Sequence, residues 1–137
     1  MSTSLLIPDN PLIVLPKLAV AFGLEEAIVV QQVYYWLRKN EAKEMNLPLG
    51  AQDHFREGRW WTYNSYAGWQ EQFPFWSVQK VGRVFRSAEE QGLLLSRQFE
   101  VRSWNQRKWY SISDEQLRQF SVPVGKTNSK RTSQKRR

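Results

Sequence analysis

The chain has 137 residues, 41% of them hydrophobic, with seven Trp, seven Phe and five Tyr, enough for one domain with its own core and little more. It contains no Cys and a single His, which excludes a disulfide framework, a thiolate zinc site and a cysteine nucleophile. The formal net charge of +7 is uneven: residues 1–76 carry six basic residues against eight acidic, 77–110 seven against three, 111–124 one against two, and 125–137 six against none.

Residues 1–11 read as a lead-in, 12–120 as the folded domain and 121–137 as a basic tail or linker. Met1 to Ser4 holds no basic n-region, and Pro16 and Lys17 interrupt the apolar run from Leu12 to Phe22. No run nears the roughly 20 apolar residues of a membrane span. The expected location is the cytoplasm, at the nucleoid or in a host cell, with no membrane partner.

Pro16 suits the first turn of a short helix that Gly23 stops. Leu24 to Lys39 reads as a longer helix, with Glu25 and Glu26 at its start and Arg38 and Lys39 at its end, the order the macrodipole favours. Its apolar residues exceed one stripe: Val29, Val33 and Trp36 recur on one side, with Ile28, Tyr35 and Leu37 elsewhere. Such a helix buries its surplus against a second subunit, in a twofold homodimer, or under other elements of its own chain.

Asn40 to Arg59 is polar, holds Pro48 and Gly50, and reads as a connection or hairpin-like insertion. Arg59 to Tyr63 reads as one short strand. Asn64 is the expected cap of a helix from Ser65 to Gln72, stopped before Pro74. Ser77 caps a second helix, Val78 to Gln91, closed by Gly92. In it Val78, Val81, Phe85 and Ala88 recur along one face. Leu93 to Gln98 and Arg107 to Ile112 read as strands flanking a turn-containing loop. Glu115 to Phe120 reads as a last short helix capped by Ser113. The tail from Gly125 has no apolar residues to bury after Gly125 and is expected to be disordered.

Helix, helix, strand, helix, turn, helix, strand, loop, strand is the order of a winged helix-turn-helix, an α+β and mainly helical fold with a β-hairpin wing. In such a fold the second helix of the helix-turn-helix enters the major groove of duplex DNA. Val78 to Gln91 has the required apolar back and polar, cationic front. The candidate contacts there are Ser77, Gln79, Lys80, Arg83, Arg86 and Ser87, because Arg pairs bidentately with guanine and Gln with adenine. The wing offers Arg102, Trp104, Arg107 and Lys108 to phosphates or a minor groove. The same helix face could equally be an ordinary solvated one. Trp109 and Tyr110 read as strand core, and Trp60, Trp61, Trp69, Phe73, Phe75 and Trp76 as core in preference to a base-stacking platform. The tail adds sequence-independent affinity through counterion release.

Catalytic signals in the sequence are weak. His54 stands alone, Glu41, Glu44, Asp53 and Glu57 form no nuclease or ligase pattern, and no Gly-rich phosphate loop occurs. The expectation is a binding protein, not an enzyme, without metal or cofactor.

Trp60-Trp61-Thr62-Tyr63-Asn64 followed by Trp69-Gln70-Glu71-Gln72-Phe73-Pro74-Phe75-Trp76-Ser77 resembles the N-terminal winged-helix domain of phage and plasmid replication initiators, the replisome organisers of Gram-positive bacteria and their phages. Leu24 to Leu37 is similar to that family's first long helix. Glu90-Gln91-Gly92-Leu93-Leu94 and Lys108-Trp109-Tyr110-Ser111-Ile112 resemble its helix exit and wing strand. The similarity spans about residues 12–118. It implies sequence-specific binding to origin repeats in double-stranded DNA. It also implies recruitment of a replicative helicase or its loader by a second domain that follows a linker in that family. Here a basic tail stands in that place, as in a trimmed N-terminal domain or a standalone relative. A winged-helix transcriptional regulator and a winged-helix module that binds a host protein remain alternatives.

Overall fold

The computed structural model describes residues 11–100 and 107–113. The expected lead-in, the loop residues Arg102 and Trp104, the last helix and the basic tail lie outside them. The structure is α+β, with four helices and small antiparallel sheets among the described residues.

Helix α1 spans Pro16–Phe22 and α2 spans Leu24–Glu44, with Gly23 alone between them. Gly23 has φ 114, a conformation that an L side chain rarely adopts. Its N–H donates to the Ala19 carbonyl at 2.8 Å and its carbonyl accepts from the Ala27 N–H at 3.0 Å, so one residue closes the first helix and opens the second. Helix α2 runs five residues past the expected end at Lys39. Asn40 does not stop it, because its side-chain amide donates sideways to the Trp61 carbonyl at 2.9 Å. Glu41, Ala42 and Lys43 are good helix formers, and the Met45 N–H still reaches the Glu41 carbonyl at 2.8 Å.

The segment after α2 makes a one-turn 3₁₀ helix, Leu49–Ala51, and then a tight hairpin of β1 (Phe55–Arg56) and β2 (Arg59–Trp60). Glu57 and Gly58 occupy the turn with φ 53 and 79, the paired positive angles of a type I′ hairpin turn. The single strand expected over 59–63 is thus two. Trp61 breaks it by donating its N–H to the His54 carbonyl and its indole N–H to the Arg56 carbonyl, both at 2.8 Å. Beyond it β3 (Thr62–Tyr63) joins another sheet.

Helix α3 (Tyr66–Gln70) is capped by Ser65, one residue later than expected: its Oγ accepts from the Gly68 N–H at 3.0 Å. Asn64 instead accepts from the Ser65 N–H at 2.9 Å. The turn Phe73–Trp76 leads to α4 (Val78–Glu90), where the Ser77 Oγ accepts from the Lys80 N–H at 3.1 Å as expected. Strands β4 (Leu94–Arg97) and β5 (Trp109–Ile112) pair antiparallel, Leu94 opposite Ile112 and Arg97 opposite Trp109. Strand β3 adds to the far side of β5, with Tyr63 opposite Trp109, giving the order β3-β5-β4.

One core joins these layers. Val81, Phe85 and Ala88 of α4, Val29 and Val33 of α2, Trp69, Phe73, Leu93 and Tyr110 are all buried. Burying such side chains contributes roughly 1.5–3 kcal/mol each before the entropy of ordering them is subtracted. Gln72 fastens the turn after α3 to α2, its Oε1 accepting from Gln32 Nε2 at 2.6 Å and Trp36 Nε1 at 2.9 Å.

Two expectations about burial need correction. Val78 is exposed, because the packed face of α4 begins one turn later at Val81. Phe75 is 58% exposed at the tip of its turn, whereas Trp61, Trp69 and Phe73 are core. Much of the apolar surplus of α2 is taken up within the chain: Val29, Val33 and Leu37 are buried, Ile28 and Trp36 are packed against the core, and α1, α4, β2, β3 and β5 all touch the helix. Tyr34 and Tyr35, beside the cations of Arg38 and Lys39, remain 41% and 42% exposed. No helix among the described residues is long and apolar enough to cross a membrane.

Candidate nucleic-acid interface

Helix α4 carries two polar stripes rather than one. Gln79, Arg83 and Arg86 follow each other at spacings of four and three, so they share a face. All three are exposed. Among the described residues, no side-chain hydrogen bond or ion pair holds Gln79 or Arg83. Arg86 folds back toward α3, its Nη1 beside Gly82 and the Tyr66 ring.

Lys80 and Ser87, seven apart, form the second stripe and face α2. Lys80 Nζ sits 2.5 Å from Glu25 Oε2 and 5.6 Å from the centre of the Trp76 ring. Ser87 donates its hydroxyl proton to Glu26 Oε2 at 2.5 Å. These two predicted contacts are therefore turned inward. The acids that suit the start of α2 electrostatically also hold α4, which periodicity within either helix alone does not reveal. Ser77 spends its hydroxyl oxygen on the helix cap.

On the β4–β5 hairpin, Arg107 is exposed, and its guanidinium lies 4.5 Å from the centre of the Tyr63 ring. Lys108 pairs with Glu89 at 3.1 Å and lies 5.7 Å from the centre of the Tyr110 ring. Trp109 and Tyr110 are buried, as expected of strand core. Burial pushes the Tyr110 hydroxyl above its ordinary pKa, with Tyr66 and Glu89 adding to the shift.

An array of rings and cations on the β3–β5 side escaped the sequence reading. Tyr63 stacks on His54 at 5.9 Å with planes 5° apart and meets Trp109 at 4.5 Å. Arg56 lies 4.5 Å from the Trp109 ring centre and 5.0 Å from that of Phe99. Only the cross-strand register, Tyr63 opposite Trp109, brings these together. The available signal was Arg56-Glu57-Gly58-Arg59, a Gly turn between strand-forming aromatics.

His54 is tied to Glu44 and stacked on Tyr63, and no group of three or more His, Asp and Glu side chains among the described residues could hold a metal ion. The arrangement offers instead a free amide-and-guanidinium stripe on α4 and a ring-backed guanidinium on the hairpin beside it. No protein-family model matches the chain, nor does any curated protein or solved structure.

Proposed function

We propose that this chain is a winged-helix domain that binds double-stranded DNA in a sequence-specific manner, with α4 in the major groove and the β4–β5 hairpin as the wing. The observation that carries the reading is the stripe Gln79–Arg83–Arg86. It stands exposed on a helix whose opposite face, Val81, Phe85 and Ala88, is sealed in the core. A helix so backed presents its outer side chains rigidly, and Arg and Gln are the side chains that read guanine and adenine edges. Arg107, whose guanidinium lies 4.5 Å from the centre of the Tyr63 ring, supplies a phosphate contact beside the groove. The structure is compatible with this fold in element order and sheet topology.

The resemblance in the aromatic-Pro-aromatic-Trp-Ser run favours a role at phage or plasmid origin repeats, with a helicase or its loader as the partner of a further region. Selection of bound sequences from a random duplex pool, followed by footprinting, tests both levels. An enriched motif found in origin repeats supports replication initiation, and one found upstream of promoters makes the protein a transcriptional regulator. The absence of any enriched motif, with affinity independent of sequence, rejects specific readout.

A further inference from the structure

The turn between α3 and α4 leaves two apolar side chains in the open: Phe75 is 58% exposed and Val78 39%. Single exposed hydrophobes are ordinary on a protein surface. These two stand three residues apart where the turn enters α4, with Pro74 exposed beside Phe75 and Gln79, the first member of the outward stripe, directly after Val78. From Phe73 to Val78 the chain holds no charged side chain, so no cation in this run awaits a phosphate. The turn is fixed beneath the exposed ring. Phe73 is buried, the Trp76 N–H donates to the Phe73 carbonyl at 3.0 Å, and the Trp76 carbonyl accepts from Gln70 Nε2 at 3.0 Å. The Phe75 ring meets the Trp76 ring at 5.0 Å with planes 78° apart, a contact that supports it without enclosing it. An apolar side chain already held in place loses little freedom when a ligand covers it.

We propose that Phe75, with Val78 beside it, contacts the 5-methyl group of a thymine and so determines part of the sequence preference. The inference rests on the duplex-binding function proposed above and names a contact that the polar stripe does not supply. A reader helix meets base edges with its N-terminal residues, and Phe75 and Val78 sit at that end of α4. The major-groove edges of the four base pairs carry hydrogen-bond donors and acceptors and a single kind of apolar group, the thymine methyl. A phenyl ring and an isopropyl group gain nothing from the donors and acceptors. Against a methyl they shed water favourably. Gln79, next along, is suited to adenine, so the two contacts together fit a target rich in A·T pairs at this end of the helix.

The test replaces each thymine of the selected duplex in turn by deoxyuridine, which removes the methyl and nothing else, and measures binding of the full chain by fluorescence anisotropy. At one or two positions the replacement is expected to weaken binding about fourfold, the worth of one buried carbon. Phe75→Ala alters an exposed position, so it is expected to melt with the parent. It should bind the thymine duplex about fourfold or more weakly and lose the distinction between thymine and deoxyuridine. A methyl that acted only through the stacking of the duplex would still be felt by this variant. Should Phe75→Ala melt early, Val78→Ala carries the same comparison with a smaller loss. A selected motif without thymine, a parent indifferent to every deoxyuridine, or variants that discriminate as the parent does each overturn the proposal and leave the exposed pair to a protein partner. Specific binding of the selected duplex by the parent keeps the two failures apart: specific binding without a methyl effect removes the thymine contact alone, whereas the absence of specific binding removes the duplex-reading function and the thymine contact with it.

Discussion

The Glu44 carboxylate holds His54 at two points: Oε1 accepts from the His54 amide at 3.0 Å, and Oε2 lies 2.5 Å from the ring Nδ1. The pair joins the end of α2 to the segment that opens the β1–β2 hairpin.

Burial by itself pushes the Glu44 carboxyl up, but the His54 amide and ring together outweigh it, and the carboxyl ends below its ordinary value. A carboxyl depressed in the folded state contributes stability that is fully present above its unfolded pKa, about 4.3, and lost as pH falls through the folded pKa. Glu44→Gln is expected to cost about 1–3 kcal/mol at neutral pH. The gap between variant and parent should narrow as pH falls below about 4. Urea melts across an acid pH series check this, and a constant gap would show that ionisation of Glu44 contributes nothing.

Arg83→Ala is expected to weaken binding to the selected duplex by about 1–3 kcal/mol and to a random duplex by much less. Fluorescence anisotropy on both duplexes measures the difference. Equal losses would reassign Arg83 to a phosphate.

Lys80 is neutralised by Glu25. Glu25→Gln should release it toward the DNA backbone and steepen the log–log salt dependence of binding by about 0.9 for one more neutralised phosphate. Titrations at several salt concentrations read that slope. An unchanged slope would place Lys80 out of reach of DNA even when free.

Removing residues 125–137 deletes six cations and no acid. Affinity for all duplexes should fall alike, and the salt slope should shrink in magnitude by up to about 0.9 for each phosphate that the tail neutralises. A selective loss on the cognate duplex alone would give the tail a part in sequence reading.

Gly82 lies where α3 and α4 approach. A Cβ there would stand 3.0 Å from the Tyr66 ring and 3.2 Å from Arg86 Nη1. The ring is itself packed toward Phe85, centre to centre 6.0 Å, so it has little room to retreat. Gly82→Ala gains roughly 1 kcal/mol in helix propensity but is expected to lose about 1–3 kcal/mol to overpacking. A thermal melt below the parent's confirms the contact, and one above it would mean that Tyr66 moves aside freely.

Local chemistry made much of the fold legible. Pro16 and Gly23 bound α1, Ser77 and Gly92 bound α4, and the spacing of Val81, Phe85 and Ala88 identified the buried face. What escaped depends on partners distant in the chain. Asn40 looks like a helix stop until Trp61 accepts its amide. The strand at 59–63 looks single until Trp61 turns to His54 and Arg56. At the candidate interface, Gln79, Arg83 and Arg86 were legible as one outward stripe. The ties of Lys80 and Ser87 to α2 were not legible, because their partners, Glu25 and Glu26, lie 55 and 61 positions earlier in the sequence.

Those two ties act on a single rotational coordinate. Glu25 and Glu26 hold α4 at points two helical turns apart, and Gly23 fixes where both acids begin. Residues four and three apart on an α-helix are separated by only about 40° and 60° around its axis, so a roll of a few tens of degrees would replace Arg83 with Gln79 or Arg86 at the outermost point. The acids at the start of α2 thus set which side chains α4 turns outward, though neither lies on that helix. Under the proposed DNA-binding function, specificity would therefore drift through changes at residues 23–26 while every side chain on the outward stripe stays the same.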